Sequence, residues 1–186
     1  RRGATMAKPC KKCQQMRDEI DIPMGGVLYD SPLFRVVHKG TPIGVAGHMQ
    51  VVSKRHIQSF ANMTDAEAAE IGPLLRHCQN VIMRVTGAPK VFTAALGASF
   101  PHFHCHLVPV YEGGPQAWDV FLQEELAAKG HLHVDPAQCT RIALAFKSEI
   151  GRDPPASAGG GYGLATAGIA IAAMAAVTFV IVKGRS

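Results

Sequence analysis

The sequence has few charged and few aromatic residues. Asp, Glu, Lys and Arg make up 18% of its 186 residues and aromatic residues 6%, whereas 47% are hydrophobic. A chain this apolar buries too much surface to be a disordered linker or tail. Its length predicts one folded domain with room for an appendage.

No basic stripe interleaved with aromatic residues runs through the middle of the chain. The net charge of +5 comes largely from the two ends. The basic residues at the ends include Arg1, Arg2, Lys8, Lys11, Lys12, Lys183 and Arg185. This distribution argues against nucleic acid as a partner. The arginine-rich start, which lacks acidic residues, resembles the remnant of an organelle-targeting segment.

An even set of closely spaced cysteines is also missing. Of the five cysteines only Cys10 and Cys13 are close together, and the others are Cys78, Cys105 and Cys139. This pattern differs from a secreted disulfide framework and predicts a reducing compartment. Cys78 and Cys139 fall on predicted helical faces, where we expect core positions.

Charge is absent from residues 164–182. As a helix this run would be about 28 Å long, close to the hydrocarbon thickness of a bilayer, and basic residues follow it. It predicts a single transmembrane helix rather than a buried helix of a soluble protein. We expect an organellar membrane, the mitochondrial inner membrane first, with the folded domain on the reducing side.

Small residues recur every fourth position within that run, at Gly168, Ala172 and Ala176. Such a stripe favours close packing against a transmembrane helix of another subunit. The alternative is that it reflects only an alanine-rich composition.

The first two thirds of the chain alternate β-branched runs with glycine and proline, which is typical of hairpins. Strands are predicted over residues 26–29, 34–38, 48–52, 91–96 and 103–110. Thr64 and Glu67 form a capping-box pattern before apolar residues at helical spacing. The sequence therefore predicts an α+β fold with an antiparallel sheet and one main helix.

The last third of the sequence predicts two short helices, a flexible linker and the membrane segment. The first helix covers 118–129, and Asp135-Pro136 opens a second that reaches about Ile150. The predicted division is 1–112 for the folded domain with its N-terminal metal motif, 113–150 for a helical extension, 151–163 for a flexible linker, 164–182 for the transmembrane helix and 183–186 for a basic tail.

Three histidines alternate along one predicted strand, at His102, His104 and His106. Alternate side chains of a strand share a face, so the three imidazoles would lie together with apolar residues behind them. The alternatives are a histidine-rich metal patch or satisfied polar residues. Cys10 and Cys13 have the Cys-x-x-Cys spacing of a metal or redox pair, or are two free thiols.

The strand Pro101-His102-Phe103-His104-Cys105-His106-Leu107-Val108-Pro109 resembles the signature of the histidine triad (HIT) superfamily. Residues 47–57 resemble the segment before that family's main helix, and Cys10-Lys11-Lys12-Cys13 resembles the opening of its zinc-containing branch. The resemblance covers about residues 10–111. It implies a HIT-like fold, whose sheets often pair into homodimers.

The resemblance also implies a chemistry. His104 would attack the α-phosphorus of a nucleotide derivative and form a covalent nucleotidyl-histidine that water hydrolyses. His106 and His48 would steady the phosphoryl oxygens, and Ser99 and the turn at Gly97 would bind the phosphate. The implied substrates are nucleotidyl phosphoramidates, anhydrides and dinucleoside polyphosphates.

A structural zinc ion is implied as well, because Cys10, Cys13, His56 and His102 match the four ligands of the zinc-containing branch. Four protein ligands leave no open position for catalysis.

Three positions depart from the family pattern. Gly40 stands where an acid or amide usually holds the ribose, Ala98 where Gln is frequent, and Val110 where Arg often follows. Losing the ribose contact at Gly40 removes a pair of hydrogen bonds of about 1 kcal/mol or more each, which weakens nucleoside binding. Two functions therefore stay open: a membrane-anchored HIT-type nucleotide hydrolase or nucleotidyl transferase, and a non-catalytic, zinc-binding accessory subunit of a larger organellar membrane complex.

Overall fold

The structure, a computed structural model, describes residues 10–39, 44–96, 100–114 and 134–152. Five antiparallel strands form one sheet in the order β1-β2-β3-β5-β4. The strands are β1 (Val27–Asp30), β2 (Phe34–His38), β3 (Met49–Ser53), β4 (Lys90–Ala94) and β5 (His104–Val110). The helices are α1 (Lys11–Met16), α2 (Asp65–Thr86) and α3 (Pro136–Ile150), with a 3₁₀ turn at Phe60–Asn62. The predicted α+β fold with an antiparallel sheet is confirmed.

The main helix, α2, begins at the predicted capping box. The Thr64 hydroxyl accepts a hydrogen bond from the Glu67 backbone N–H, and the Glu67 carboxylate accepts one from the Thr64 backbone N–H. Two of the otherwise unpaired donors at the helix N-terminus are thereby satisfied. The helix continues through Pro73 and ends at Gly87, whose φ of 71° favours glycine.

The core lies between α2, α3 and one face of the sheet. Its sheet residues include Phe34, Val36, Met49, Val51, Cys105 and Leu107. Its helical residues include Leu74, Cys78, Ile82, Ala143, Phe146 and Ile150. Because α3 supplies the last three, the predicted helical extension packs into the same core as the sheet.

The other face of the sheet carries the polar side chains of β3 and β5. Alternation along β5 buries Cys105 and Leu107 in the core and therefore directs His104 and His106 to the opposite face. The short helix α1 covers part of this face, because Met16 packs against Val37 and Val52.

Strand β5 begins at His104 rather than at the predicted residue 103. The backbone N–H of Phe103 donates to the Ile57 carbonyl at 2.6 Å, outside the ladder between β3 and β5. His102 therefore precedes the strand, and its ring lies with His56 at a centroid distance of 5.1 Å. The expectation that all three histidines lie on one strand is wrong for His102.

Several sequence predictions fall outside the described residues. They include the helix over 118–129, all but the first two residues of the linker over 151–163, the transmembrane helix over 164–182, the basic tail over 183–186, and positions Gly40, Gly97, Ala98 and Ser99. Among the residues that the structure does describe, no helix combines the length and the apolar character needed to cross a bilayer.

Candidate metal centre and adjoining histidine site

Three separate parts of the chain bring two thiols and two imidazoles together. Cys10 and Cys13 belong to the start of α1, His56 follows β3, and His102 precedes β5. One ligand atom from each lies within 4.8 Å of the others. These are the four residues that the sequence predicts as metal ligands.

Four of the six spacings among these atoms are close to those of a tetrahedral zinc site. Bonds of about 2.3 Å to sulfur and 2.0–2.1 Å to nitrogen place adjacent S and N ligands about 3.5 Å apart, and two N ligands about 3.3 Å apart. Cys10 Sγ and Cys13 Sγ lie 3.5 and 3.4 Å from His102 Nδ1. Cys13 Sγ is 3.1 Å from His56 Nδ1, and the two Nδ1 atoms are 3.3 Å apart.

The tautomer of His102 agrees with a ligand role. Its Nε2 lies 2.7 Å from the carbonyl oxygen of Ser53, which can only accept, so Nε2 carries the proton. The Nδ1 lone pair is therefore directed into the four-residue cluster. A second hydrogen bond of this kind is typical of metal-binding histidines and fixes the ring orientation. The residues present thus form a possible site for zinc.

His104 has the opposite tautomer. Its Nδ1 lies 2.7 Å from the carbonyl oxygen of His102 and therefore donates to it. The lone pair of a neutral imidazole is then on Nε2. Burial lowers the pKa of His104 below its usual value, so the ring is neutral at pH 7. A neutral imidazole with a positioned lone pair is a nucleophile.

His106 and His48 form a pair beside His104. His48 Nε2 lies 2.9 Å from His106 Nδ1, and the ring centroids of His104 and His106 are 4.9 Å apart. Burial lowers the pKa of His106 to about 3, with smaller contributions from His104 and nearby lysines. Burial also lowers the pKa of His48 well below its usual value. Both rings are therefore neutral hydrogen-bonding groups at physiological pH.

Two half-buried lysines place positive charge near the histidines of this face. Burial lowers the pKa of both Lys12 and Lys39 to about 8, and both charges oppose protonation of His106. Neutral imidazoles with cations nearby favour an anionic ligand over a cationic one.

The structure thus gathers the metal-ligand residues into one cluster and His48, His104 and His106 into another. Ser99 and Gly97 are outside the described residues, so their predicted phosphate contacts stay predictions. Three residues of this face were not predicted from the sequence: Lys12, Lys39 and Gln50. Gln50 had a usable signal, because it is two residues after His48 and so shares its strand face.

Comparisons with known proteins agree with this fold. Residues 24–113 match the family model described as HIT domain. The fold is similar to that of a Zn-bound histidine triad family protein from Mycobacterium smegmatis, with a TM-score of 0.58 at 15% identity, covering 76% of this chain and 95% of that one.

Two further solved structures share the fold. A hypothetical histidine triad nucleotide-binding protein from Sulfolobus tokodaii strain7 has a TM-score of 0.58 at 18% identity, over 76% of this chain and 92% of that one. A histidine triad protein from Bradyrhizobium japonicum has a TM-score of 0.53 at 20% identity, over 72% and 93%. No curated protein sequence matches the chain significantly.

Proposed function

We propose that this chain, whose residues 24–113 match the HIT domain, is a nucleotide hydrolase or nucleotidyl transferase that works through a covalent nucleotidyl-histidine on His104. Its substrates are nucleotidyl phosphoramidates, anhydrides or dinucleoside polyphosphates. Zinc has a structural role in the adjoining cluster.

The observation that carries this proposal is the 2.7 Å hydrogen bond from His104 Nδ1 to the His102 carbonyl. It orients the ring and leaves the Nε2 lone pair for attack on phosphorus. The nucleophile needs no deprotonation, because the ring is already neutral at pH 7. Covalent catalysis of this kind divides one substitution into two easier ones.

The two steps balance as follows. Nε2 of His104 bonds to the α-phosphorus while the P–O or P–N bond to the leaving group breaks, and the leaving group takes the electron pair and a proton from water. Water then attacks the phosphorus, the P–N bond to His104 breaks, and a nucleoside monophosphate leaves as the proton passes to solvent. The Gln50 amide nitrogen, 3.4 Å from His106 Nδ1, can only donate to it, so His106 keeps its proton on Nε2 and donates to a phosphoryl oxygen.

The metal cluster supports this site through His102. Bound zinc would hold the start of α1 and the segment carrying His56 against the residue whose carbonyl orients His104. Its four ligands leave no position for substrate.

The test is a turnover assay of the full chain with nucleoside phosphoramidates of the four bases and with dinucleoside polyphosphates. We expect activity in the wild type, a loss of at least a thousandfold in His104→Ala, and little change in His77→Ala. His77 is a suitable control because its Nε2 contacts the Ile150 carbonyl on the opposite side of the sheet. Equal hydrolysis by wild type and His104→Ala would contradict the proposal.

A second candidate is a zinc-binding accessory subunit without turnover. It is favoured by Gly40 at the position that usually holds the ribose, and by the small-residue stripe within 164–182. In this case, as for the enzyme, residues 164–182 would anchor the chain in an organellar membrane, and they would also bind a transmembrane helix of another subunit. A folded, zinc-loaded chain that neither binds nor hydrolyses nucleotides would favour this candidate over the enzyme.

A further inference from the structure

Lys12 lies between the two cysteines of the metal cluster, yet it reaches the histidine face of the sheet. Its Nζ donates to Gln50 Oε1 at 2.7 Å, and its side chain is half-buried. The position follows from α1, whose first turn contributes Cys13 to the cluster while its last residue, Met16, packs on the sheet.

Gln50 joins Lys12 to the histidine pair. It lies opposite His106 in the register of β3 and β5, and its Nε2 is 3.4 Å from His106 Nδ1. The ammonium group must face the amide oxygen, so the amide nitrogen faces His106. Lys12 is therefore one side chain away from the ring proposed to bind phosphoryl oxygens.

The charge of Lys12 is not balanced by an acidic side chain within the described ranges. Its hydrogen-bond partner there is the neutral Gln50, and the ion pairs found in those ranges do not include it. An ammonium group has three donors, of which Gln50 takes one. The Cys10 sulfur offsets part of the burial that lowers the Lys12 pKa, but as a zinc ligand it would share its charge with the metal. A partly desolvated cation with no carboxylate partner gains from an anion that joins it.

The two lysines of this loop have different surroundings. Lys12 lies against Gln50 on the histidine face of the sheet. Lys11, the preceding residue, is exposed instead. The Cys-Lys-Lys-Cys loop therefore presents one lysine to solvent and one to the histidines.

We propose that Lys12 is a substrate-binding residue whose ammonium group binds a phosphoryl oxygen of the nucleotide held at His104 and His106. The inference rests on the proposed function and extends it: the loop that supplies two metal ligands also supplies the cation for the phosphate. The ligand class is a phosphorylated nucleoside, and the uncharged nucleoside gains nothing from this contact.

The test compares Lys12→Met with Lys11→Met in the full chain, because both variants remove one positive charge from the same loop. Binding is measured by calorimetry with the four ribonucleoside 5′-monophosphates and the four unphosphorylated nucleosides. Losing a charge-assisted hydrogen bond should raise the monophosphate Kd about tenfold to a hundredfold in Lys12→Met. The Kd of Lys11→Met should stay within about twofold of wild type, and nucleoside binding should be equal in all three.

Two controls separate binding from structure. Lys12→Arg should recover most of the monophosphate affinity, and Lys12→Met should retain wild-type zinc content and Tm. Unchanged monophosphate affinity in Lys12→Met, a loss of zinc, or failure of Lys12→Arg to recover binding would overturn the inference while wild-type turnover still supports the proposed function. A wild-type chain that binds and hydrolyses no nucleotide would instead contradict both.

Discussion

The carbonyl oxygen of His102 accepts a hydrogen bond from Nδ1 of His104 at 2.7 Å, while the His102 ring belongs to the thiol–imidazole cluster. One residue therefore belongs to both sites: its side chain is a metal-ligand candidate and its backbone orients the proposed nucleophile. Metal binding and catalysis should consequently depend on each other.

Metal removal tests this dependence. We expect one equivalent of zinc in the full chain, and we expect a strong chelator to lower the Tm and slow turnover together, because His102 loses its anchor. Cys13→Ala should reproduce both effects, whereas the exposed variant Lys11→Met should keep its zinc. Metal analysis, thermal unfolding and turnover measure this. Full activity in a folded, zinc-free chain would show that the cluster does not position His104.

Local signals in the sequence were sufficient for most of the fold. Strand β2 has the predicted bounds, α2 follows its capping box, and α3 begins after Asp135 as the Asp-Pro pair indicates. These features depend on neighbouring residues. The two histidine groupings followed from a family resemblance rather than from residue patterns.

What the sequence could not supply depends on tertiary packing. The turn of His102 away from β5 follows from the contact between Phe103 and Ile57, which are far apart in the chain. The role of Lys12 depends on how α1 lies on the sheet beside Gln50. A Lys-Lys pair between cysteines gives no sign of which lysine is exposed.

Acid should destabilise the fold through its buried neutral histidines. The pKa of His106 is about 3 in the folded chain and about 6.5 when unfolded, so below pH 6.5 the unfolded state takes up a proton that the folded state does not. The stability that depends on a neutral His106 is fully present above pH 6.5 and is lost as the pH falls towards 3. When the pH is lowered from 7.5 to 5, the unfolding free energy of both proteins should fall. The fall should be smaller in His106→Asn than in wild type, by about 1–2 kcal/mol.

Urea unfolding of both proteins at the two pH values measures the difference. Zinc release at low pH affects both equally, so the comparison isolates His106. The same loss of stability in both proteins would contradict a neutral, buried His106.

Glu67 should be important for stability because its buried carboxylate connects the N-terminus of α2 to Arg55. It accepts from the Thr64 backbone in the capping box and from Arg55 Nε at 3.0 Å, next to the metal-ligand candidate His56. The hydrogen bond from Arg55 is the main reason that the pKa of Glu67 is lowered to about 2, so the carboxylate is charged at neutral pH. Glu67→Gln should lower the unfolding free energy by about 1–3 kcal/mol.

The matched control for Glu67→Gln is Asp65→Asn, an exposed acid in the same helical turn, which should change stability by less than about 0.5 kcal/mol. Urea unfolding at pH 7.5 compares them. If both variants changed the unfolding free energy by less than about 0.5 kcal/mol, Glu67 would not stabilise the fold in this way.

The proposed membrane helix over 164–182 should resist extraction by alkaline carbonate. Replacing Gly168 and Ala172 with Leu removes the small-residue face, so the double variant should stay in the membrane but lose its protein partner in mild detergent. Fractionation and co-purification measure the two properties. Carbonate extraction of the wild type would contradict the span, and an unchanged set of partners in the double variant would contradict the packing face.

Mass spectrometry of the reacting full chain is the direct test of a covalent nucleotidyl intermediate on His104. The chain is mixed with nucleoside phosphoramidates of the four bases, quenched rapidly at alkaline pH and digested. We predict that the peptide containing His104 gains the mass of one nucleotidyl group, and that His104→Ala gains none. Substrate consumption without an adduct on that peptide, or an adduct that persists in His104→Ala, would contradict the account.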